Sequence, residues 1–151
     1  MKIIYVAGPF RGPTSWDIAE NIRSAERIGL LVARAGAMPL IPHANTAHFH
    51  GQCDDTFWLD GTMELLRRCD AAVFLPGWRG SSGSVAEYRE AGLLGIPRLA
   101  LDGVDQSLLA SEIDDFVHWA RDGQVNHSKE QRKAGQAVAN GAGEASRDAA
   151  D

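Results

Sequence analysis

The segment Ser81-Ser82-Gly83-Ser84-Val85-Ala86-Glu87 concentrates residue types able to do chemistry. Ser81 or Ser82 caps a helix whose first turn holds Gly83. Hydroxyls, free N–H groups and the positive end of a helix dipole then converge on one anion site. Glu87 stands four residues beyond Gly83, so the two share a helix face, and that face continues through the apolar Ala91 and Leu94. A carboxylate on a buried face is costly unless it is paired or used. It lies about one helical pitch, roughly 5 Å, from the anion donors. A nucleoside 5′-monophosphate separates its phosphate from its anomeric carbon by a comparable span. Glu87 is thereby placed as a nucleophile, or as a stabiliser of an oxocarbenium-like centre. The structural alternative is an ion pair with Arg11, Arg79 or Arg89 that only holds the loops.

Two further loops carry unusual residues. Gly8-Pro9-Phe10-Arg11-Gly12 follows an apolar run directly. A glycine there lets backbone N–H groups approach a ligand, and Arg11 offers a fork of donors suited to phosphate. The spacing is not G-x-G-x-x-G, which excludes a dinucleotide fingerprint, and the loop lacks the Ser and Thr of a flavin-phosphate loop. His43, Asn45, His48, His50, Cys53, Asp54 and Asp55 crowd the second loop. Their spacing fits no standard zinc pattern, so no metal is expected. His43 and Asn45 come first and are placed against a base or sugar. Trp78 either stacks on a base or packs on the protein. Trp16, Trp58 and Trp119 fall on helices and read as packing residues.

These loops need a scaffold. Apolar runs at 2–7, 37–41, 71–75 and 98–101 read as strands, with Pro39 pointing to an edge position. Helical periodicity covers a segment from Thr14 or Ser15 to a glycine stop at Gly36, then about 55–69, 82–94 and 106–121. Alternating strands and helices imply a parallel sheet of at least four strands with helices on both faces: a single Rossmann-like (flavodoxin-like) α/β domain. Ligands in such sheets bind at the carboxyl ends of the strands, which gathers loops 8–15, 42–54 and 76–83 at one site.

The sequence has 151 residues and a net charge of -5. Residues 128–151 contain no Leu, Ile, Phe, Trp or Tyr, so the expected folded domain is 1–127, followed by a disordered tail. An acidic chain without a basic block excludes a dedicated nucleic-acid polymer binder. No apolar run approaches the ~20 residues of a membrane span. Two cysteines, no disulfide framework and no secretory leader point to the cytoplasm.

Y-V-A-G-P-F-R-G at 5–12, C-D-A-A-V-F-L-P-G-W at 69–78 and S-x-G-x-x-x-E at 81–87 together resemble the nucleoside 2-deoxyribosyltransferase-like superfamily. That group includes transferases that swap bases between deoxyribosides and 2′-deoxynucleoside 5′-monophosphate N-glycosidases. The resemblance covers residues 2–101 and is nearest to a bacterial and phage branch. It implies that Glu87 attacks the anomeric carbon and that Ser81 and Gly83 hold a phosphate, with Ser82 beside them. It implies ligand contacts for Gly8, Phe10, Arg11 and Gly12, no metal or redox cofactor, and a homodimer. One departure stands out: the family's second acid falls at Thr62. Asp60 and Glu64 flank it, each about 200° away around a helix. Either the helix shifts to bring Asp60 in, or the second acid is missing. The expected activity is cleavage of the N-glycosidic bond of a (deoxy)nucleoside 5′-monophosphate. The alternatives are a base-exchanging 2-deoxyribosyltransferase and a nucleotide-binding sensor without chemistry.

Overall fold

In the computed structural model, which describes residues 1–49, 51–103 and 105–123, the first apolar run becomes β1 (Ile3–Ala7). The segment read as a tail, 128–151, lies outside the described residues. Thr14 caps α1 (Ser15–Arg34) through a reciprocal box with Asp17, and Gly36 follows its end at a positive φ of 91°. β2 (Met38–Leu40) carries Pro39 on the sheet edge, where a missing N–H does no harm. The second loop opens with a short helix that sequence periodicity did not signal, α2 (Pro42–Asn45), with Pro42 at its first turn. Then come α3 (Asp55–Arg67), β3 (Ala71–Phe74), α4 (Ser82–Leu93), β4 (Arg98–Ala100) and α5 (Gln106–Asp122).

All strand pairs are parallel, in the order β2-β1-β3-β4. The order reverses between β1 and β3. Right-handed crossovers fix the layers. The step from β1 to β2 runs one way, and the steps from β2 to β3 and from β3 to β4 run the other. Thus α1 lies on one face, and α3 and α4 lie on the opposite face. The strands divide accordingly. Ile4, Val6, Ala71 and Val73 pack with Ile28 and Val32 of α1 and Ile113 and Val117 of α5. Tyr5, Ala7, Ala72 and Phe74 pack with Leu66 of α3 and Ala91 of α4. Tyr5 therefore points toward the helix that carries Glu87.

Trp16 corrects an expectation. It is 68% exposed, with the Arg23 guanidinium 5.5 Å from its ring centroid, and packs into neither cluster.

Candidate active site

A cavity of about 580 Å³ opens at the carboxyl ends of β1 and β3, where the strand order reverses. That volume suits a ligand the size of a nucleoside or nucleotide. One wall is the loop after β1, Gly8 to Arg11. A second is formed by Pro42, His43, Thr46, Phe49 and Gly51. A third is the face of α3 that bears Asp55, Trp58, Leu59 and Thr62, at the i, i+3, i+4, i+7 spacing of one helical stripe. The fourth is Gly80 to Ser84 and then Glu87.

Glu87 is half-buried and accepts a 2.5 Å hydrogen bond from the Tyr5 phenol, which lies fully buried behind it. Burial pushes the Glu87 carboxyl up to about 7, and the Tyr5 bond restrains that rise. Burial and the adjacent carboxylate raise the Tyr5 phenol far above its ordinary range, so it remains a protonated donor at any neutral pH. The Thr62 hydroxyl donates to the Leu59 carbonyl at 3.1 Å. The result is a carboxylate aimed by a fixed donor, with an acidity that switches near neutrality.

The wall at the start of α4 is built by local backbone. Gly77 takes a positive φ of 81°, a conformation that costs a side-chain-bearing residue about 1–2 kcal/mol. It starts a 3-10 turn over Trp78–Gly80. Ser81 then caps α4, accepting from the Ser84 N–H at 3.3 Å, while the Val85 N–H bonds the Ser81 carbonyl. Among the described residues, the N–H groups of Ser82 and Gly83 have no protein acceptor. Both residues line the cavity at the positive end of α4. Ser84 also lines it, and its buried hydroxyl makes no hydrogen bond among the described residues.

A family model described as a domain of unknown function, DUF7768, matches residues 2–100. The chain belongs to the DUF7768 family. The matched span holds all four strands and every cavity wall. No curated protein sequence matches the chain. Among solved structures it is similar to the 2-deoxyribosyltransferase of the psychrotolerant bacterium Bacillus psychrosaccharolyticus, described as a biocatalyst for synthesis of antiviral and antitumoral nucleosides. Identity is 16%, the match covers 73% of this chain and 81% of that one, and the TM-score is 0.51. That likeness is one of fold, a parallel α/β sheet of the flavodoxin-like type.

Within this DUF7768 domain, Gly8, Phe10, Arg11, His43, Ser81, Ser82, Gly83 and Glu87 all line the one cavity. Four other candidates do not. Asp60 is exposed on another face of α3, which stays regular, so no shift brings it in, and Thr62 occupies the lining position. Trp78 is 6% exposed and stacks on Tyr88 at 4.3 Å, so it is a core residue that presents no ring to a ligand. Asn45 lies exposed on α2 outside the lining, and Thr46 and Phe49 stand there in its place. Gly12 packs against Asp17, where a Cβ would collide with the aspartate side chain, which is a packing reason for the glycine. Arg79, one of the possible ion-pair partners of Glu87, instead turns to Asp102 at 2.6 Å and lies over the Trp78 ring.

His43 is a positioning residue. Both partners of its Nε2 are carbonyls, Gly8 O at 3.0 Å and Pro9 O at 3.1 Å, so this nitrogen carries the proton. Burial lowers the affinity of the ring for a second proton and keeps it neutral. The first loop is thus clamped to α2.

Residue types alone assigned no individual role to Tyr5, Ser84, Asp55 or the Phe49–Trp58 stack, whose rings lie 5.9 Å apart at 22°. A signal for Tyr5 was present: a tyrosine inside an aliphatic strand needs a partner for its hydroxyl.

Proposed function

We propose that this protein cleaves the N-glycosidic bond of a (deoxy)nucleoside 5′-monophosphate. A Glu87 carboxylate oxygen forms a bond to C1′ as the C1′–N bond breaks. The electron pair leaves with the base, which takes its proton from solvent, since Thr62 stands at the second acid's position and Asp55, the other carboxylate lining the cavity among the described residues, is held by Arg11 at its mouth. Water then hydrolyses the glycosyl ester and restores Glu87. The observation that carries this reading is the Tyr5–Glu87 pair, set in a nucleoside-sized cavity beside the unpaired N–H groups of Ser82 and Gly83. Those groups, the Ser81 hydroxyl and Arg11 are the proposed phosphate donors. The aromatic rings of Phe10 and Trp58 offer faces for the base. A cytoplasmic homodimer belongs to the same reading.

Base exchange between nucleosides is the second reading. The fold shared with a 2-deoxyribosyltransferase favours it, as does the ion pair that already occupies Arg11. A sensor without chemistry is the third, and the threonine at position 62 favours it.

Incubation with each (deoxy)nucleoside and its 5′-monophosphate, followed by chromatography for free base, separates the three. Release from monophosphates is expected, falling at least about 10³-fold in Glu87→Ala. Release that persists in Glu87→Ala would sink the mechanism. Exchange only on addition of a second base would establish the transferase, and binding without release the sensor.

A further inference from the structure

Arg11 is the one Lys or Arg lining the cavity among the described residues, and it is already engaged. Its guanidinium forms an ion pair with Asp55, the first residue of α3, which lines the opposite wall. Both side chains are about two-thirds exposed, so this contact lies at the mouth of the cavity. The two ends are held differently. The Phe10 and Arg11 carbonyls accept from Asn21 Nδ2 at 3.2 and 3.0 Å, which fixes the loop backbone while leaving the arginine side chain free to swing. Asp55 sits in the first turn of α3, where the helix dipole favours its charge, and it is anchored by the helix itself.

The cavity lining therefore holds no surplus positive charge. Arg11 is matched by Asp55, the His43 ring is neutral, and Glu87 adds negative charge above about pH 7. A ligand anion gains Arg11 only by taking it from Asp55, and it then lies close to an uncompensated carboxylate. One phosphoryl group served by Arg11 and the Ser82 and Gly83 N–H groups can meet that cost. Each further phosphate finds no cation among the lining residues and adds repulsion from Asp55.

We propose that Asp55 sets the charge specificity of this cavity: it is exchanged from Arg11 by a single phosphoryl group and disfavours ligands with two or three. The inference rests on the nucleotide reading above and adds the residue that would select a phosphomonoester over a di- or triphosphate.

The test is calorimetric titration of the full chain with common nucleosides, their 5′-mono-, di- and triphosphates, and 2-deoxyribose 5-phosphate as a base-free probe. Wild type, Asp55→Asn, Arg11→Ala and the double variant are compared. Asp55→Asn is expected to tighten monophosphates about three- to tenfold, in the range of an exposed ion pair. It should tighten di- and triphosphates by more, and leave nucleosides within about twofold. In the Arg11→Ala background the gain for monophosphates should shrink, because the exchange no longer exists. Three results would each overturn the inference: an equal effect on nucleosides and monophosphates, weaker monophosphate binding in Asp55→Asn, or no advantage of any phosphate-bearing probe over its uncharged counterpart. Charge-graded binding with no base release would remove the Glu87 chemistry and leave the role of Asp55 standing. Base release with charge-blind binding would do the reverse.

Discussion

At the scale of single residues, the site turns on a buried donor and a half-buried acid. Tyr5 is fully enclosed and donates to Glu87 across 2.5 Å. In the proposed mechanism Glu87 attacks only when ionised, so base release should rise with pH through a limb near 7. The Tyr5 bond favours the carboxylate form, and its loss raises the Glu87 value. In Tyr5→Phe the limb should therefore move to higher pH, with base release at pH 6 reduced about three- to tenfold more than at pH 9. A pH–rate profile checks this, and an unmoved limb would remove Tyr5 from the ionisation of Glu87. Glu87 itself was legible in the sequence from its place on the apolar stripe of a helix. Tyr5 was not, because its role depends on which face of the sheet receives α4.

Elements decide which of the candidate residues meet. α3 presents Asp55, Trp58, Leu59 and Thr62 to the cavity and turns Asp60 to solvent. Helical period alone separates Asp60 from Thr62, so this outcome was calculable, but which face of α3 looked into the site was not. α2 is only four residues long and acts through His43, which bonds the Gly8 and Pro9 carbonyls. His43→Ala should leave both carbonyls without that donor and cost about 1–3 kcal/mol. Denaturant unfolding measures the loss, and a change within about 0.3 kcal/mol would show that the clamp contributes nothing. A sequence reading finds such a histidine and assigns it to the ligand. The structure keeps His43 in the cavity lining but spends its Nε2 on two carbonyls of another loop, a second role that no local pattern signals.

Over the whole molecule, the site carries a pH signature in stability. The folded-state value of Glu87, about 7, lies above the ordinary 4.5 of the unfolded chain. The stability linked to its protonated form is complete below pH ~4.5 and is lost as pH rises through about 7. Glu87→Gln keeps an acceptor for Tyr5 and removes this dependence. The variant should match wild type near pH 4.5 and melt ~3–10 °C above it at pH 8. Thermal melts at the two pH values test this, and a gap that does not widen between them would contradict a buried, proton-linked carboxylate. The same burial that raises the Glu87 carboxyl thus weakens the fold at alkaline pH.

The sequence by itself determined the order of the strands and long helices and the loops that line the cavity. Apolar runs, helical period, caps and glycine stops are local signals, and residues close in sequence obey them. It also placed Pro39 on an edge and Gly36 beyond a helix end, because missing donors and positive φ have few tolerated positions. Tertiary structure alone decided the pairings: Tyr5 with Glu87, Arg11 with Asp55, Arg79 with Asp102, and Trp78 with Tyr88. Three of these four pairs span more than twenty residues of sequence, and the fourth depends on how α4 rotates against the turn before it. Crossover handedness and the packing of each helix against the sheet set those relations, and no local pattern encodes them.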